Sequence, residues 1–408
     1  MSQSITLSHP NNILKGSIKL PASKSEANRA LIIAALSGEQ AELENLSEAN
    51  DTQLLQRLLK SREETIDAED AGTVMRFLTA YYAVTGQQKI LTGTPRMCQR
   101  PIKVLVEALR TLGASIDYLG EEGYPPMKIN GFSGNGNKHL KIRSDISSQY
   151  ISALLMVGPL LPEGLELELE GKIGSRPYIE MTLSLMHHFG VSADFTENTI
   201  TVPHQPYKAA RFMVESDWSA ASYWYSLVAL AKEAEITLLG LKEQSFQGDR
   251  AIVDIMYKLG VYTSFTAQGV QLTKKHHEKQ VALDFSDCPD LAQTVVALCA
   301  ALGVTLEMTG LESLRIKETD RIQALQIEVL ETGASLQEIT PGVFRLEPGI
   351  LAKKELSFRT YQDHRMAMAF APLALLEPVH IQGPSVVRKS YPRFWEDLEK
   401  VGFVVNQA

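Results

Sequence analysis

Basic side chains gather in this sequence where α-helices are about to begin. Lys24 and Arg29 lie in SKSEANRALIIAAL, Arg76 follows Gly72-Thr73 in AGTVMRFL, and His364-Arg365 open HRMAMAF. Ser147, Ser148 and Gln149 open a further apolar run, SSQYISALLMVG. The N-terminal end of a helix already carries partial positive charge, so a cation there is opposed by the macrodipole. It is favoured when an anion lies between the cation and the exposed backbone N–H groups. One such site would read equally well as solvated surface charge; recurrence at three helix starts favours the anion. Two more runs are dense in charge. TPRMCQRPIKVLVEAL supplies Arg96 and Arg100, with Pro101 at an expected helix start. RIKETDRIQAL supplies Arg315, Lys317, Glu318, Asp320 and Arg321, and on a helix Lys317 and Arg321 would share a face at i,i+4. SVVRKSYPRFW adds Arg388, Lys389 and Arg393 among aromatics. The plain alternative for the first two of these runs is an ordinary exposed, salt-bridged helix.

The motifs that are missing narrow the chemistry. There is no GxxxxGK[ST] loop, no GxGxxG, no HExxH and no GxSxG elbow, so P-loop, Rossmann, zinc-protease and serine-hydrolase sites are unsupported. Cys98, Cys288 and Cys299 are the three cysteines, with no CxxC among them, which argues against a disulfide framework or zinc site and fits a reducing cytoplasm. No metal or organic cofactor is expected. A pocket rich in arginine and lysine with a few carboxylates suits positioning and acid–base catalysis on a small polyanion. The net charge of −8 over 408 residues disfavours general affinity for nucleic acid or anionic membrane. No apolar run approaches the ~18 residues of a membrane span, and the first residues do not read as a secretory signal. No nucleic-acid or membrane partner is expected, and the chain is expected to be a monomer.

The elements that would position these groups recur along the chain. A helix ending in Leu/Phe-Gly-Ala/Val or a close variant, followed by a β-prone stretch, ends at Gly113, Gly190, Gly260, Gly333 and Gly402. The spacings are 77, 70, 73 and 69 residues. The glycine suits a left-handed position just past a helix. About forty residues before each comes a polar cluster opening an Ala/Leu-rich helix. There are six of these, from Ser23, Asp70, Ser147, Asp217, Asp287 and Asp363. The first is followed by a helix near Leu54–Lys60 that lacks the glycine. The chain therefore reads as six mixed α/β units of about 68 residues, three on each side of a break near Phe212–Asp217. The N-terminal strand Ser4–Leu20 is expected to pair with the second half, so that the chain crosses twice. The resulting domains are 21–215, and 1–20 with 216–408.

The ordered set LPASKSEANRALIIAAL, AGTVMRFL, PRMCQRPI, SSQYISALL, SRPYIEMTL, SDWSAASYW, PDLAQT, RIKETDRI, DHRMAMAF and RKSYPRFW, from Leu20 to Trp395, resembles the 3-phosphoshikimate 1-carboxyvinyltransferase (EPSP synthase) family. The resemblance implies a two-lobed inside-out α/β barrel of six βαβαββ units, three per lobe. It implies transfer of the carboxyvinyl group of phosphoenolpyruvate to the 5-hydroxyl of shikimate 3-phosphate, by addition and elimination, without a cofactor.

Residue by residue, the resemblance makes Ser25, Arg29, Ser147, Ser148, Gln149, Ser175 and Tyr178 contacts to shikimate 3-phosphate, most of them in the first lobe. Lys24 would touch both substrates and take part in catalysis. Gly72, Arg100, Gln149, Arg321, Arg365 and Lys389 would hold phosphoenolpyruvate, with Arg76 and Thr73 nearby. Asp290 would bind the shikimate hydroxyls and take the 5-hydroxyl proton. Lys317 would contact shikimate 3-phosphate, and Glu318 would act as acid–base group at the phosphoenolpyruvate methylene. His364 would be a polar support. Asp70, Phe77 and Ser313 stand where the family commonly has asparagine, proline and asparagine; the first two bear on affinity in the phosphoenolpyruvate pocket and on glyphosate sensitivity. Two other readings stand beside this one. The sister transferase acting on UDP-N-acetylglucosamine has a Lys-Asn pair and a loop cysteine, where this chain has Lys24-Ser25 and Pro95. A non-catalytic anion-binding repeat protein would not need Asp290 and Glu318.

Overall fold

The structure is a computed structural model that describes residues 4–38, 41–143, 147–171 and 173–407. The chain divides into two compact units, Met1–Ser23 with Glu215–Ala408, and Lys24–Val214. Relative to the domains expected from sequence, Pro21–Ser23 and Glu215 belong with the C-terminal unit. The backbone gives the reason. The Ser23 N–H donates to the Glu215 C=O at 2.8 Å and the Asp217 N–H to the Pro21 C=O at 2.9 Å, so both crossing segments are tied together inside that unit.

Five four-stranded sheets share one pattern. In each, two parallel strands are followed by two antiparallel neighbours; in four of the sheets a single α-helix joins the parallel pair, whereas in the fifth, Ile13–Lys19 with Glu233–Leu239, residues 24–214 lie between the two strands in sequence. Thr65–Asp67 pairs parallel with Lys89–Thr92, which pairs antiparallel with Met127–Phe132 and so to Ala114–Tyr118. The sheets of His139–Arg143 and Gln280–Asp284 repeat this order. Alternation drives the strands: Leu165–Glu170 reads LELELE and buries its leucines on one face. The sixth unit is degenerate. Glu42–Glu44 pairs only with Arg211–Met213, which matches the missing glycine after Asn50–Leu59, where Lys60 ends the helix with a right-handed backbone.

The N-terminus is two strands, Ser4–Ser8 and Ile13–Lys19, rather than one. The first completes a C-terminal sheet between Val379–Gln382 and Val404–Gln407. The second lies parallel to Glu233–Leu239. Both pair within the unit expected to receive them.

The six Ala/Leu-rich helices are Lys24–Ser37, Gly72–Val84, Ser148–Val157, Trp218–Leu230, Ala292–Leu302 and His364–Phe370. They are apolar nearly all round, as helices buried on every side must be. In each unit three of them pack against one another and form the centre of its core. The outer helices are amphipathic, and the five repeat glycines that follow them have φ between +80° and +107°. These are backbone conformations where a Cβ is strained. The sheets lie outside the buried helices, so the helix starts, with their polar residues, emerge at strand ends.

Candidate active site

In the 24–214 unit, Lys24 is the first residue of its helix, and its Nζ lies 3.0 Å from the buried Asp51 carboxylate. One turn on, Arg29 is 2% exposed. Its Nε donates to Thr182 Oγ1 at 2.8 Å, its Nη2 to Ser152 Oγ at 2.9 Å and its Nη1 to the Ser25 C=O at 2.9 Å. Its guanidinium lies over the rings of Phe77 and Tyr178, at 5.4 and 5.6 Å. Burial lowers its pKa to about 10, against the opposing pull of Tyr178 and Glu26. Arg29 thus ties its own helix to those of Ser152 and Thr182, and Phe77 supplies one of its aromatic faces.

Ser147 caps the helix of Ser148: its Oγ accepts from the Gln149 N–H at 3.3 Å, while the Gln149 amide donates to Thr73 Oγ1 at 3.2 Å. Ser175 precedes the helix Arg176–His188 with φ of 55°, a left-handed conformation uncommon for serine. Tyr178 lies in the first turn of that helix.

Gly72 begins the helix Gly72–Val84, with no side-chain cap. Arg76 Nη1 donates back to the Gly72 C=O at 3.1 Å and Nη2 to the Pro101 C=O at 3.2 Å. A Cβ on Gly72 would lie 2.8 Å from Arg100 Nη1 and 2.9 Å from Arg76 Nη1. The missing side chain therefore lets two guanidinium groups converge on an uncapped helix N-terminus. Arg100 is nine-tenths buried, and its Nε has no hydrogen-bond partner. Pro101 lies just ahead of the helix Lys103–Thr111 rather than in it.

In the unit of residues 1–23 and 215–408, Arg321 is the hub. Its Nε donates to Asp363 Oδ2 at 2.7 Å, Nη1 to Asp290 Oδ1 at 2.8 Å and Nη2 to Glu318 Oε2 at 2.9 Å. Arg365 grips Asp290 from the other side, through its carboxylate at 2.9 Å and its backbone C=O at 3.1 Å. Lys317 Nζ lies 3.8 Å from Asp290, and Lys389 Nζ 3.9 Å from Glu318. Burial pushes the Asp290 carboxyl up, but Arg365, then Lys317 and Arg321, outweigh it and hold the group well below the usual carboxylate range. For Lys317 the attraction of Asp290 is outweighed by burial together with Arg321 and Arg365, and its pKa is lowered.

The KETDR run is not helical as a whole. Lys317 is extended after a short 3-10 turn, and the helix is Arg321–Glu328. Asp320 explains the boundary: its carboxylate accepts from the Gln323 N–H at 3.0 Å and caps the helix there. Lys317 and Arg321 are therefore gathered by Asp290, not by a shared helix face. Arg315 turns to Glu338 at 2.7 Å and takes no part. His364 is buried beside Asp363, with Nδ1 3.6 Å from its Oδ1.

Four residues of these clusters were not singled out for a site role from sequence. Asp363 was seen as a helix start but not as the partner of Arg321. Ser219 lies in the polar cluster that opens at Asp217, but nothing there points to Arg365; Asp51 and Asp249 carry no local pattern, and only the fold brings Asp51 to Lys24 and Ser219, with Asp249 behind it, to Arg365. Among the described residues, no group of three or more His, Cys, Asp or Glu side chains is arranged to hold a metal ion, and no helix is long and apolar enough to cross a membrane.

A family profile described as EPSP synthase (3-phosphoshikimate 1-carboxyvinyltransferase) matches residues 9–69 and 55–398. A protein of Bacteroides fragilis named 3-phosphoshikimate 1-carboxyvinyltransferase is 49% identical, over 98% of both chains. Its namesake from Pasteurella multocida is 34% identical over 96% of each. Among solved structures, an EPSP synthase from Acinetobacter baumannii superposes with a TM-score of 0.80 at 21% identity, covering both chains in full.

Proposed function

The chain belongs to the EPSP synthase (3-phosphoshikimate 1-carboxyvinyltransferase) family and transfers the carboxyvinyl group of phosphoenolpyruvate to shikimate 3-phosphate, and on that premise we propose how its residues divide the work. Asp290 takes the proton of the attacking 5-hydroxyl. Its depressed pKa keeps it ionised at neutral pH, and ligand binding that draws Arg365 toward an anion would free one of its oxygens. Glu318 delivers and removes the proton at the phosphoenolpyruvate methylene, with Lys24 as the third catalytic group. Lys24, Ser25, Arg29, Ser147, Ser148, Gln149, Ser175, Tyr178, Asp290 and Lys317 serve shikimate 3-phosphate. Arg29 does so as the buried tie behind Ser25 and Tyr178. Lys24, Gly72, Arg100, Gln149, Arg321, Arg365 and Lys389 serve phosphoenolpyruvate.

The observation that carries this reading is the shared grip of Arg321 on Asp290 and Glu318, at 2.8 and 2.9 Å. One rigid guanidinium holds two carboxylates at fixed separation, which suits one proton transfer at the attacking hydroxyl oxygen and one at the methylene carbon next to the carbon under attack. We further propose a monomeric, cytoplasmic enzyme that needs no metal. Free Cys98, Cys288 and Cys299 agree with a reducing compartment. The test is phosphate release from phosphoenolpyruvate with shikimate 3-phosphate or UDP-N-acetylglucosamine as acceptor. Release with the first alone is expected; release with the second alone would overturn the assignment.

A further inference from the structure

Behind Arg365 lies a carboxylate that the division of work above does not use. Asp249, in the short 3-10 turn Gly248–Ala251, is 3% exposed. Its Oδ2 accepts from Ser219 Oγ, and Ser219 Oγ in turn accepts from Arg365 Nη2 at 3.4 Å. Its Oδ1 is buried with no hydrogen-bond partner. An unsatisfied, buried carboxylate oxygen is costly, and the expense is explicable if the group is ionised only part of the time. The charged and polar groups around it come from four directions: Ser219 and Asp217 at the start of the Trp218–Leu230 helix, Arg365 on the His364–Phe370 helix, Asp290 and the Cys288 thiol at the Pro289–Leu291 turn, and Arg250 beside it in its own turn. Four cations, Lys317, Arg321, Arg365 and Lys389, face Asp290, Glu318 and Asp363. The ionised Asp249 makes the set neutral.

We propose that Asp249 is a proton-accepting counter-charge for Arg365: ionised while the anion site is empty, and protonated when a carboxylate or phosphate of phosphoenolpyruvate takes over the balancing of Arg365. This rests on the assignment of Arg365 to phosphoenolpyruvate. The linkage follows from charge alone. Arg365 favours the Asp249 carboxylate; an anion on Arg365 cancels that field and favours the acid. By reciprocity, protonating Asp249 strengthens anion binding by the same factor. Burial, with Asp290 and Asp217 nearby, outweighs Arg365 and Ser219 and lifts the carboxyl to about 6, where a modest coupling moves it through neutral pH.

The experiment is the KM for phosphoenolpyruvate, at saturating shikimate 3-phosphate, from pH 5.5 to 8.5. The ligand's own titration is common to every protein compared and cancels. Asp249→Asn fixes the neutral form. Its KM is expected to equal the wild-type value near pH 5.5 and to lie below it at pH 8, by roughly tenfold and by no more than the ~100-fold that two pH units allow. A merely structural aspartate predicts the opposite: a higher KM at every pH. Ser219→Ala removes the hydrogen bond that favours the carboxylate, so it should move the wild-type inflection to higher pH; it decides the matter if Asp249→Asn does not fold. A parallel KM profile in Asp249→Asn, or an unmoved inflection in Ser219→Ala, overturns the proposal. Failure of the wild type to release phosphate from phosphoenolpyruvate would instead overturn the functional assignment.

Discussion

Replacing Gly72 by alanine separates stability from binding. The new Cβ would lie 2.8 and 2.9 Å from Arg100 Nη1 and Nη2, and 2.9 Å from Arg76 Nη1. Unstrained contacts between heavy atoms are nearer ~3.5 Å, so the guanidinium groups must retreat by several tenths of an ångström. Arg100 can do so cheaply, because the clash is at the end of a flexible side chain. Gly72 is the first residue of its helix, where the interior preference for alanine over glycine has little force, so the helix neither gains nor loses much. Folding should therefore be unharmed, with a melting temperature close to wild type. Binding should suffer. A hydrogen bond to a charged group contributes roughly 1.5–3 kcal/mol, and spoiling one such contact to an anion at the Gly72 N-terminus corresponds to about 10- to 100-fold in affinity. The KM for phosphoenolpyruvate should rise by that factor while the KM for shikimate 3-phosphate and kcat change little. Steady-state phosphate release and thermal unfolding measure both. An unchanged phosphoenolpyruvate KM in a folded protein would refute Gly72 as the floor of that anion site. A collapse of the melting temperature would show that the arginines cannot yield.

Asp290→Asn should lower kcat by roughly 10²–10⁴-fold with modest change in KM, as loss of a positioned base does; near-full kcat would remove Asp290 from that role. Arg321→Leu leaves Asp363, fully buried, without the cation that neutralises it, and breaking a buried pair from one side costs about 3–5 kcal/mol. Thermal unfolding should show a drop of several degrees, and an unshifted melting temperature would contradict the hub. Asp249 binds a proton in the folded protein at a pH where the unfolded chain has lost it, so its ionisation destabilises the fold as pH rises from ~4 to about 6. The melting temperature of Asp249→Asn minus that of wild type should therefore increase across this window; a constant difference would place the Asp249 pKa in the ordinary range. Dialysis against a chelator should leave phosphate release unchanged, and activity restored by a divalent ion would refute the metal-free reading.

The six-unit plan was legible because two signals recur together. The glycines at 113, 190, 260, 333 and 402 each take positive φ, and the apolar runs opened by polar clusters are the buried helices. The degenerate unit was legible too, from the glycine missing after Lys60. The split of the N-terminal strand was less so: the turn at Asn11–Asn12, where Asn12 has φ of 59°, lies between stretches that both read as β. Spacing misled at KETDR. An i,i+4 count presumes a helix, whereas the Asp320 cap starts the helix only at Arg321, and a local capping bond outweighs the weak pair term that the count relied on. Within the site, the cations announced themselves by opposing the helix dipole. Their buried carboxylate partners could not, because aspartate at a helix start or in a turn is ordinary, and what makes Asp51, Asp249 and Asp363 unusual is tertiary burial.

The two arginine sets are prepared for anions in different ways. Arg321 and Arg365 are held by carboxylates at 2.7–2.9 Å, so their positive charge is already balanced and their geometry fixed. Arg100 makes no ion pair among the described residues, and its Nε lacks any partner. Arg76 beside it donates to main-chain carbonyls. A balanced arginine is rigid and contributes orientation, but an incoming anion must compete with the carboxylates that hold it. A less balanced arginine supplies more of the raw attraction, because little is displaced when the anion arrives, while its burial keeps water from screening it. An addition–elimination through a charged intermediate needs both. Attraction alone would bind substrate and transition state equally and leave kcat unchanged, whereas pre-oriented charge favours the geometry of the reacting state. Under the proposed roles, the balanced set orients the proton-transfer groups Asp290 and Glu318, while Arg100 in the 24–214 unit adds the less balanced charge that attracts phosphoenolpyruvate.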